Sequence, residues 1–243
     1  MLRVAESLGD RPDTVAALQL IRRRRAALFL AGATGRFTGL IVQALSLPGE
    51  PIGYGADAQV LWELLQCASF WYCLNVAPAC AAALGTRMER ETGRAVSYFD
   101  DILLTLDAPA PVFRPREGVR LLSLADLPLL AAAPRELRGI GFGETRALLL
   151  EGVAAAALDA GRIVSLAHTS ALTPRHAEIS VSTLEAWRGR GLGTAAAALV
   201  CAHVQAEGHR PVWTTGQDNG ASLRVARKLG FSPFGRRTYV ILT

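Results

Sequence analysis

The stretch from His176 to Gly208 constrains the fold more than any other. Apolar and polar residues alternate from His176 to Thr183, the period of a half-buried strand. The alternation stops at Trp187, and Arg188-Gly189-Arg190-Gly191-Leu192-Gly193-Thr194 follows. From Gly191 to Glu207 the apolar residues Leu192, Ala195, Ala196, Leu199, Val200 and Val204 recur at helical spacing until Gly208 ends the run. Glycines where a strand enters a helix let the backbone approach a ligand closely and leave N–H groups free at the helix start. Such a junction suits a pyrophosphate.

The flanking sequence completes an α/β pattern. Pro109, Pro111 and Pro115 interrupt Asp107–Gly118, where neither a helix nor a central strand can continue, so a boundary is expected there between residues 1–110 and 111–243. Beyond it, Val119–Leu122 reads as a strand running into a helix start at Ala125–Pro128, and Glu144–Leu150 as a helix. Asp159-Ala160-Gly161 between two apolar runs marks a hairpin. Pro211–Thr215 reads as a strand, Ala221–Leu229 as a helix closed by Gly230, and Phe234–Leu242 as a final strand. The order is β-α-α-β-β-β-α-β-α-β. Residues 1–110 read as mixed α and β: a helix over Thr14–Arg25, apolar segments Ala26–Leu30 and Phe37–Leu45, a loop over Pro48–Gly55, helices over Val60–Leu65 and Val76–Arg90, and a strand over Ile102–Leu106.

Composition closes several options. With 51% hydrophobic and 19% charged residues the chain can bury a core and is not extended disorder. The formal charge of +5 rests almost wholly on arginine, Lys228 being the only lysine. Its one dense run, Arg22–Arg25, closes a helical segment and suits the negative end of the helix dipole better than a nucleic-acid patch. Cys67, Cys73, Cys80 and Cys201 form no C-x-x-C pair and are expected as free thiols. No signal-like start is seen, and Glu63, Gln66, Asn75 and Pro78 interrupt the apolar Leu61–Leu84, so a cytoplasmic protein is expected.

A glycine turn alone fits mononucleotide, dinucleotide or coenzyme A binding. Arg188-x-x-Gly191-x-Gly193 resembles the Q/R-x-x-G-x-G/A signature of the GNAT acetyltransferases and lacks the lysine and spacing of a nucleotide P-loop. Asp218-Asn219-Gly220-Ala221-Ser222 and Arg227-Lys228-Leu229-Gly230-Phe231 are similar to the later motif of that superfamily, and Val119–Leu127 to its first strand and helix start. The resemblance, over Val119–Phe231, implies a GNAT-like mixed sheet whose fourth and fifth strands splay, with an additional amino-terminal mixed α/β domain. It also implies acetyl-CoA as donor, with no metal. Backbone groups of Val181 and Thr183 would meet the pantetheine amides. Arg188, Gly189, Arg190, Gly191, Leu192, Gly193 and Thr194 would hold the pyrophosphate, and Asn219 and Ser222 would lie near the thioester.

Transfer needs a neutral amine, hence a proton acceptor. Relatives often carry a glutamate on the strand entering the glycine turn, which makes Glu178 the first choice, with His168 and His176 in reserve. A tyrosine that many relatives place five residues before the Phe of the G-F pair is Ala226 here, leaving Tyr239, Ser222 or solvent as proton donor; Glu185 replaces a usual proline. The expected reaction is acetyl transfer to a primary amine, small molecule or peptide, without nucleic acid or membrane; a homodimer is left open. Two other readings compete: a coenzyme A-binding module without catalysis, motivated by Ala226, and an NAD(P)-dependent enzyme using Gly32–Gly39. The second has Asp57 near the ribose-binding spacing, but a hairpin turning at Ala33-Thr34-Gly35 is preferred because no further β-α units follow.

Overall fold

The computed structural model describes residues 1–112, 116–138 and 142–243. Two compact units emerge. One holds Met1–Leu103, Thr215–Asp218 and Phe234–Thr243; the other holds Leu104–Thr214 and Asn219–Pro233.

In the first unit, helices α1 (Leu2–Leu8) and α2 (Val15–Arg22) precede strands β1 (Ala26–Ala33), β2 (Arg36–Ala44) and β3 (Ile52–Gly55). Then come α3 (Ala58–Leu65), β4 (Cys73–Val76), α4 (Pro78–Thr92) and β5 (Val96–Thr105), the last two residues of β5 counting with the second unit. Leu18, Ile21, Leu40 and Val42 form one core cluster; Leu61, Leu65, Leu74, Leu84 and Met88 form another. β1 and β2 pair antiparallel around Thr34-Gly35, as expected of the hairpin. The dinucleotide reading fails here, because Gly32–Gly39 leads into β2 and opens no helix, and Asp57 serves as the N-cap of α3.

Two further elements lie where the sequence suggested otherwise. Pro48–Gly55 reads as loop because of its prolines and glycines, yet β3 occupies its end. A Cβ on Gly53 would stand 3.2 Å from Val76 Cγ1 and 3.3 Å from Leu74 Cδ2, so this glycine serves close packing rather than a turn. The expected helix Val76–Arg90 starts at Pro78, which suits a first helical position, and the residues before it form the fully buried β4. α1 was not anticipated.

The second unit follows the expected order. β6 (Val119–Leu121) leads through a 3₁₀ turn (Leu124–Asp126) into α5 (Leu127–Ala132), then come a second 3₁₀ turn (Arg135–Leu137) and α6 (Thr145–Glu151). Next are β7 (Ala154–Asp159), β8 (Arg162–Leu172), β9 (His176–Thr183), a short 3₁₀ turn (Glu185–Trp187), α7 (Leu192–Ala206), β10 (Arg210–Gly216) and α8 (Gly220–Lys228). β10 counts with this unit through Thr214. The final strand, β11 (Ser232–Leu242), counts with the first unit from Phe234 onward, where it pairs antiparallel with β4. Strand order in the second unit is β6-β7-β8-β9-β10.

Alanines decide how this unit packs. Ala154–Ala157 on β7 and Ala195–Ala198 on α7 are all buried, and α7 lies against β7, β8 and β9. Ala154 and Ala156 belong to the core cluster of Leu130, Leu137 and Leu148, on the opposite sheet face from Ala155 and Ala157, and α7 buries the larger Val200, Cys201 and Val204 as well. The glycine turn is thereby anchored by a rigid helix. Among the described residues no helix is long and apolar enough to cross a membrane.

Candidate functional site

The sequence places the turn where β9 gives way to α7. Gly189 and Gly191 both adopt left-handed backbone, at φ +76° and +75°, which glycine reaches without the Cβ clash other residues meet. Gly191 is the N-cap of α7, and no side chain caps it. The first N–H groups of a helix have no intrahelical acceptor. Here no side-chain cap takes them. Gly193 has ordinary φ but no room: a Cβ would lie 2.9 Å from Thr183 Oγ1 and 3.1 Å from Val181 Cγ2. Its lack of a side chain seats the first turn of α7 directly on β9.

A cavity of about 830 Å³ opens at this junction, within the range of ligand sites. Its walls include Val181–Thr183 on β9, Trp187–Gly189 and Gly191–Thr194 at the turn, and Asn219, Ala221, Ser222, Arg224, Val225 and Lys228 around α8, with Glu136 at one side. The three cations Arg188, Arg224 and Lys228 face one carboxylate there, a balance that favours an anionic ligand. Arg188 Nε donates to Thr183 O at 3.1 Å and ties the turn to the end of β9. The Arg190 side chain is not a wall residue; its Nη2 folds back onto Ala186 O. Arg116 Nη1 donates to Arg190 O at 2.6 Å, and its Nη2 lies 3.0 Å from where a Cβ of Gly191 would be, so a third guanidinium covers the turn from outside.

The strands part beside this cavity. β9 and β10 are parallel partners over three positions, ending at Val212↔Glu178. β9 keeps its antiparallel partner β8 as far as Ser165↔Thr183. From Ile179 onward, among the described residues, the edge of β9 toward β10 carries backbone groups without a strand partner. Val181 and Thr183 lie on that open stretch.

Glu178 sits at the point of divergence. The β8–β9 register shifts between Thr169 and Ala171, so Ser170 is an extra residue opposite Glu178. Its hydroxyl donates to Glu178 Oε2 at 3.1 Å, and the Thr214 hydroxyl donates to Oε1 at 2.7 Å. The half-buried carboxylate is thus held from both neighbouring strands; it is not itself a wall of the cavity. Ser222 does line the cavity. Its backbone N–H donates to Asn219 Oδ1, the N-cap of α8, and its Oγ accepts from Trp213 Nε1 at 2.9 Å. The Ser222 hydroxyl proton is left to point elsewhere.

The remaining candidates are not among the cavity's wall residues. Tyr239 belongs to the first unit, on β11 opposite Asn75, where burial and then the charges of Asp101 and Glu50 push its phenol well above the usual value. His168 is buried with Nδ1 2.9 Å from Thr169 O, and burial lowers its pKa, keeping it neutral. His176 is buried at the β8–β9 turn, its backbone bonded to Thr173. Ala226 is fully buried on α8. Trp187, Glu136, Arg224 and Lys228 in the walls, and Arg116 over the turn, were not expected from the sequence. Arg224 and Lys228 are four apart and therefore share a face of α8, a signal the motif contained; Arg116, ahead of β6, and Glu136, in the 3₁₀ turn Arg135–Leu137, are distant in sequence and had none.

Residues 141–241 match the sequence model of the GNAT acetyltransferase family. Several solved structures resemble the chain at low identity. A GCN5-related N-acetyltransferase-like protein from Streptococcus suis 89/1591 superposes with a TM-score of 0.70 at 20% identity, covering 100% of this chain and 98% of its own. A GCN5-related N-acetyltransferase from Kribbella flavida gives 0.62 at 17% identity, with 99% and 94% covered. A tandem GNAT protein from the clavulanic acid biosynthesis pathway gives 0.55 at 16%, with 98% and 91% covered. No curated protein sequence matches the chain.

Proposed function

We propose that the protein, whose residues 141–241 match the sequence model of the GNAT acetyltransferase family, transfers an acetyl group from acetyl-CoA to a primary amine. The observation that carries the reading is the uncapped, glycine-started N-terminus of α7 opening on a cation-lined cavity beside the gap between β9 and β10. The residues fit the donor. Free N–H groups at Gly191–Thr194 and the charges of Arg188, Arg224 and Lys228 suit its phosphates, and the open edge of β9 at Val181 and Thr183 suits the amides of its pantetheine arm.

The chain's own groups then divide the proton work. Glu178, oriented by Ser170 and Thr214, takes the proton from the acceptor ammonium, directly or through water. The amine nitrogen forms its bond to the thioester carbonyl carbon and passes a second proton to solvent as the carbon–sulfur bond breaks. Ser222, whose oxygen already accepts from Trp213, keeps its hydroxyl hydrogen to donate toward the departing thiolate, and solvent completes the protonation. Ser222 is preferred to Tyr239 because it lines the cavity. The products are an amide and free coenzyme A thiol.

Calorimetric titration with acetyl-CoA, followed by thiol release with a panel of amines, tests this. Binding that Gly191→Glu abolishes, together with amine-dependent thiol release, is the expected result. Binding without release for any amine would leave a coenzyme A-binding module, and no binding would remove the reading altogether.

A further inference from the structure

The first unit repeats the second. In chain order it runs α1-α2-β1-β2-β3-α3-β4-α4-β5, and residues from Leu127 onward run α5-α6-β7-β8-β9-α7-β10-α8-β11. Pairing repeats as well. β1-β2-β3 and β7-β8-β9 are each antiparallel, and in each case the strand after the next helix pairs parallel with the third, β4 on β3 at Ile52↔Asn75 and β10 on β9. In both, that parallel pairing is brief.

What differs is what fills the two features that make the donor site in the second unit. The connection from strand to helix is two residues, Ala56 and Asp57, where the second unit has the eight of Leu184–Gly191. Asp57 caps α3 with its own carboxylate, Oδ1 accepting from Gln59 N at 2.8 Å and Val60 N at 3.4 Å. The helix start that takes an anion in the other copy already holds one. The gap between β3 and β4 is occupied too. Arg237 of β11, buried to 7% exposure, donates through Nη2 to Gly53 O at 2.7 Å and to Asn75 O at 2.9 Å, and through Nε to Asn75 Oδ1. One guanidinium therefore bridges carbonyls of both parting strands, with its carbon 4.6 Å from the centre of the Tyr54 ring.

We infer that the first unit is a second copy of the donor-binding fold whose cleft is filled by Arg237 and Asp57, so that each chain takes one donor molecule, in the second unit. The inference rests on the reading of that unit as the acetyl-CoA site. Its consequence is that the first unit supplies no second catalytic centre, although its topology has the form of one.

Equilibrium dialysis with acetyl-CoA counts the sites. One equivalent per chain is expected, lost in Gly191→Glu and weakened at least tenfold in Arg224→Glu/Lys228→Glu, whose exposed positions on α8 leave the turn untouched. Two equivalents in the parent, with one retained in both variants, would overturn the inference while sparing the donor reading; a single equivalent that persists in both variants would overturn both. Zero equivalents would overturn both. Separately, Arg237→Ala leaves three acceptors facing a guanidinium-sized gap, so millimolar guanidinium should raise its melting temperature where sodium at equal ionic strength does not. Equal response to the two salts would refute the filled cleft.

Discussion

Replacing Glu178 by glutamine removes the proposed base with little else disturbed. The carboxylate accepts from two hydroxyls, Ser170 at 3.1 Å and Thr214 at 2.7 Å. A glutamine amide offers one oxygen and one NH₂, so one hydroxyl must turn and accept, which hydroxyls can do. The structural cost is then the loss of charge assistance, about 1 kcal/mol. A positioned general base contributes roughly 10²–10⁴-fold, so the barrier should rise by about 2.7–5.4 kcal/mol. Glu178 does not line the cavity, so the KM for acetyl-CoA should change less than threefold. The assay is coenzyme A thiol release with the fastest acceptor found in an amine panel, across pH. Because the base matters only while the acceptor is an ammonium ion, the deficit should shrink as pH rises toward the amine's own pKa. A deficit below about fivefold, or one that is constant with pH, would refute the assignment of Glu178 as base.

Other expectations follow from the packing and the buried groups. Gly193→Ala should gain about 1 kcal/mol of helix propensity and lose about 1–3 kcal/mol to crowding against Thr183 and Val181, leaving stability within about 2 kcal/mol of the parent. Donor affinity should nonetheless fall at least tenfold by calorimetry as α7 is pushed from β9; an unchanged affinity would detach that close approach from binding. Burial pushes the thiols of Cys73 and Cys201 up to about 12, whereas Cys67 is exposed, so Ellman's reagent near pH 8 should find one fast thiol in the native chain and four after denaturation. Two fast thiols would mean that a buried one opens. His168 has its folded-state pKa depressed by burial, so its contribution is full above the unfolded value of about 6.5 and is lost as pH falls toward the folded pKa, with a slope of at most about 1.4 kcal/mol per pH unit. Denaturant titrations from pH 7.5 to 5 should show that loss in the parent and not in His168→Asn; parallel curves would refute it.

How far the sequence could be read depended on whether the information was local. The glycine turn was legible because three constraints coincide within one short stretch: left-handed backbone at Gly189 and Gly191, close packing at Gly193, and the apolar run of α7 that follows at helical spacing. The second-unit elements around it carry equally local signals, such as Asp159-Ala160-Gly161 at the β7–β8 hairpin. The orientation of Glu178 was not legible. It depends on the extra residue Ser170 on the neighbouring strand, and nothing in the sequence of β9 records a bulge in β8. The first unit hid its kinship for the same reason. Its strand-to-helix connection has lost the glycine turn, and the residue that fills its cleft, Arg237, is 162 positions from Asn75.

That separation bears on how the chain holds together. β11 completes the sheet of the first unit through Thr238↔Val76 to Ile241↔Cys73, although it follows every element of the second unit in the chain. The buried guanidinium of Arg237 arrives with it, and until it does, Gly53 O and the side chain of Asn75 lack the donor that satisfies them. Unpaired buried polar groups of this kind cost about 1–3 kcal/mol each, so the first unit cannot reach its final stability before the second has been traversed. A substitution at Arg237 would therefore be felt in the first unit, where its contacts to Gly53, Asn75 and Tyr54 lie.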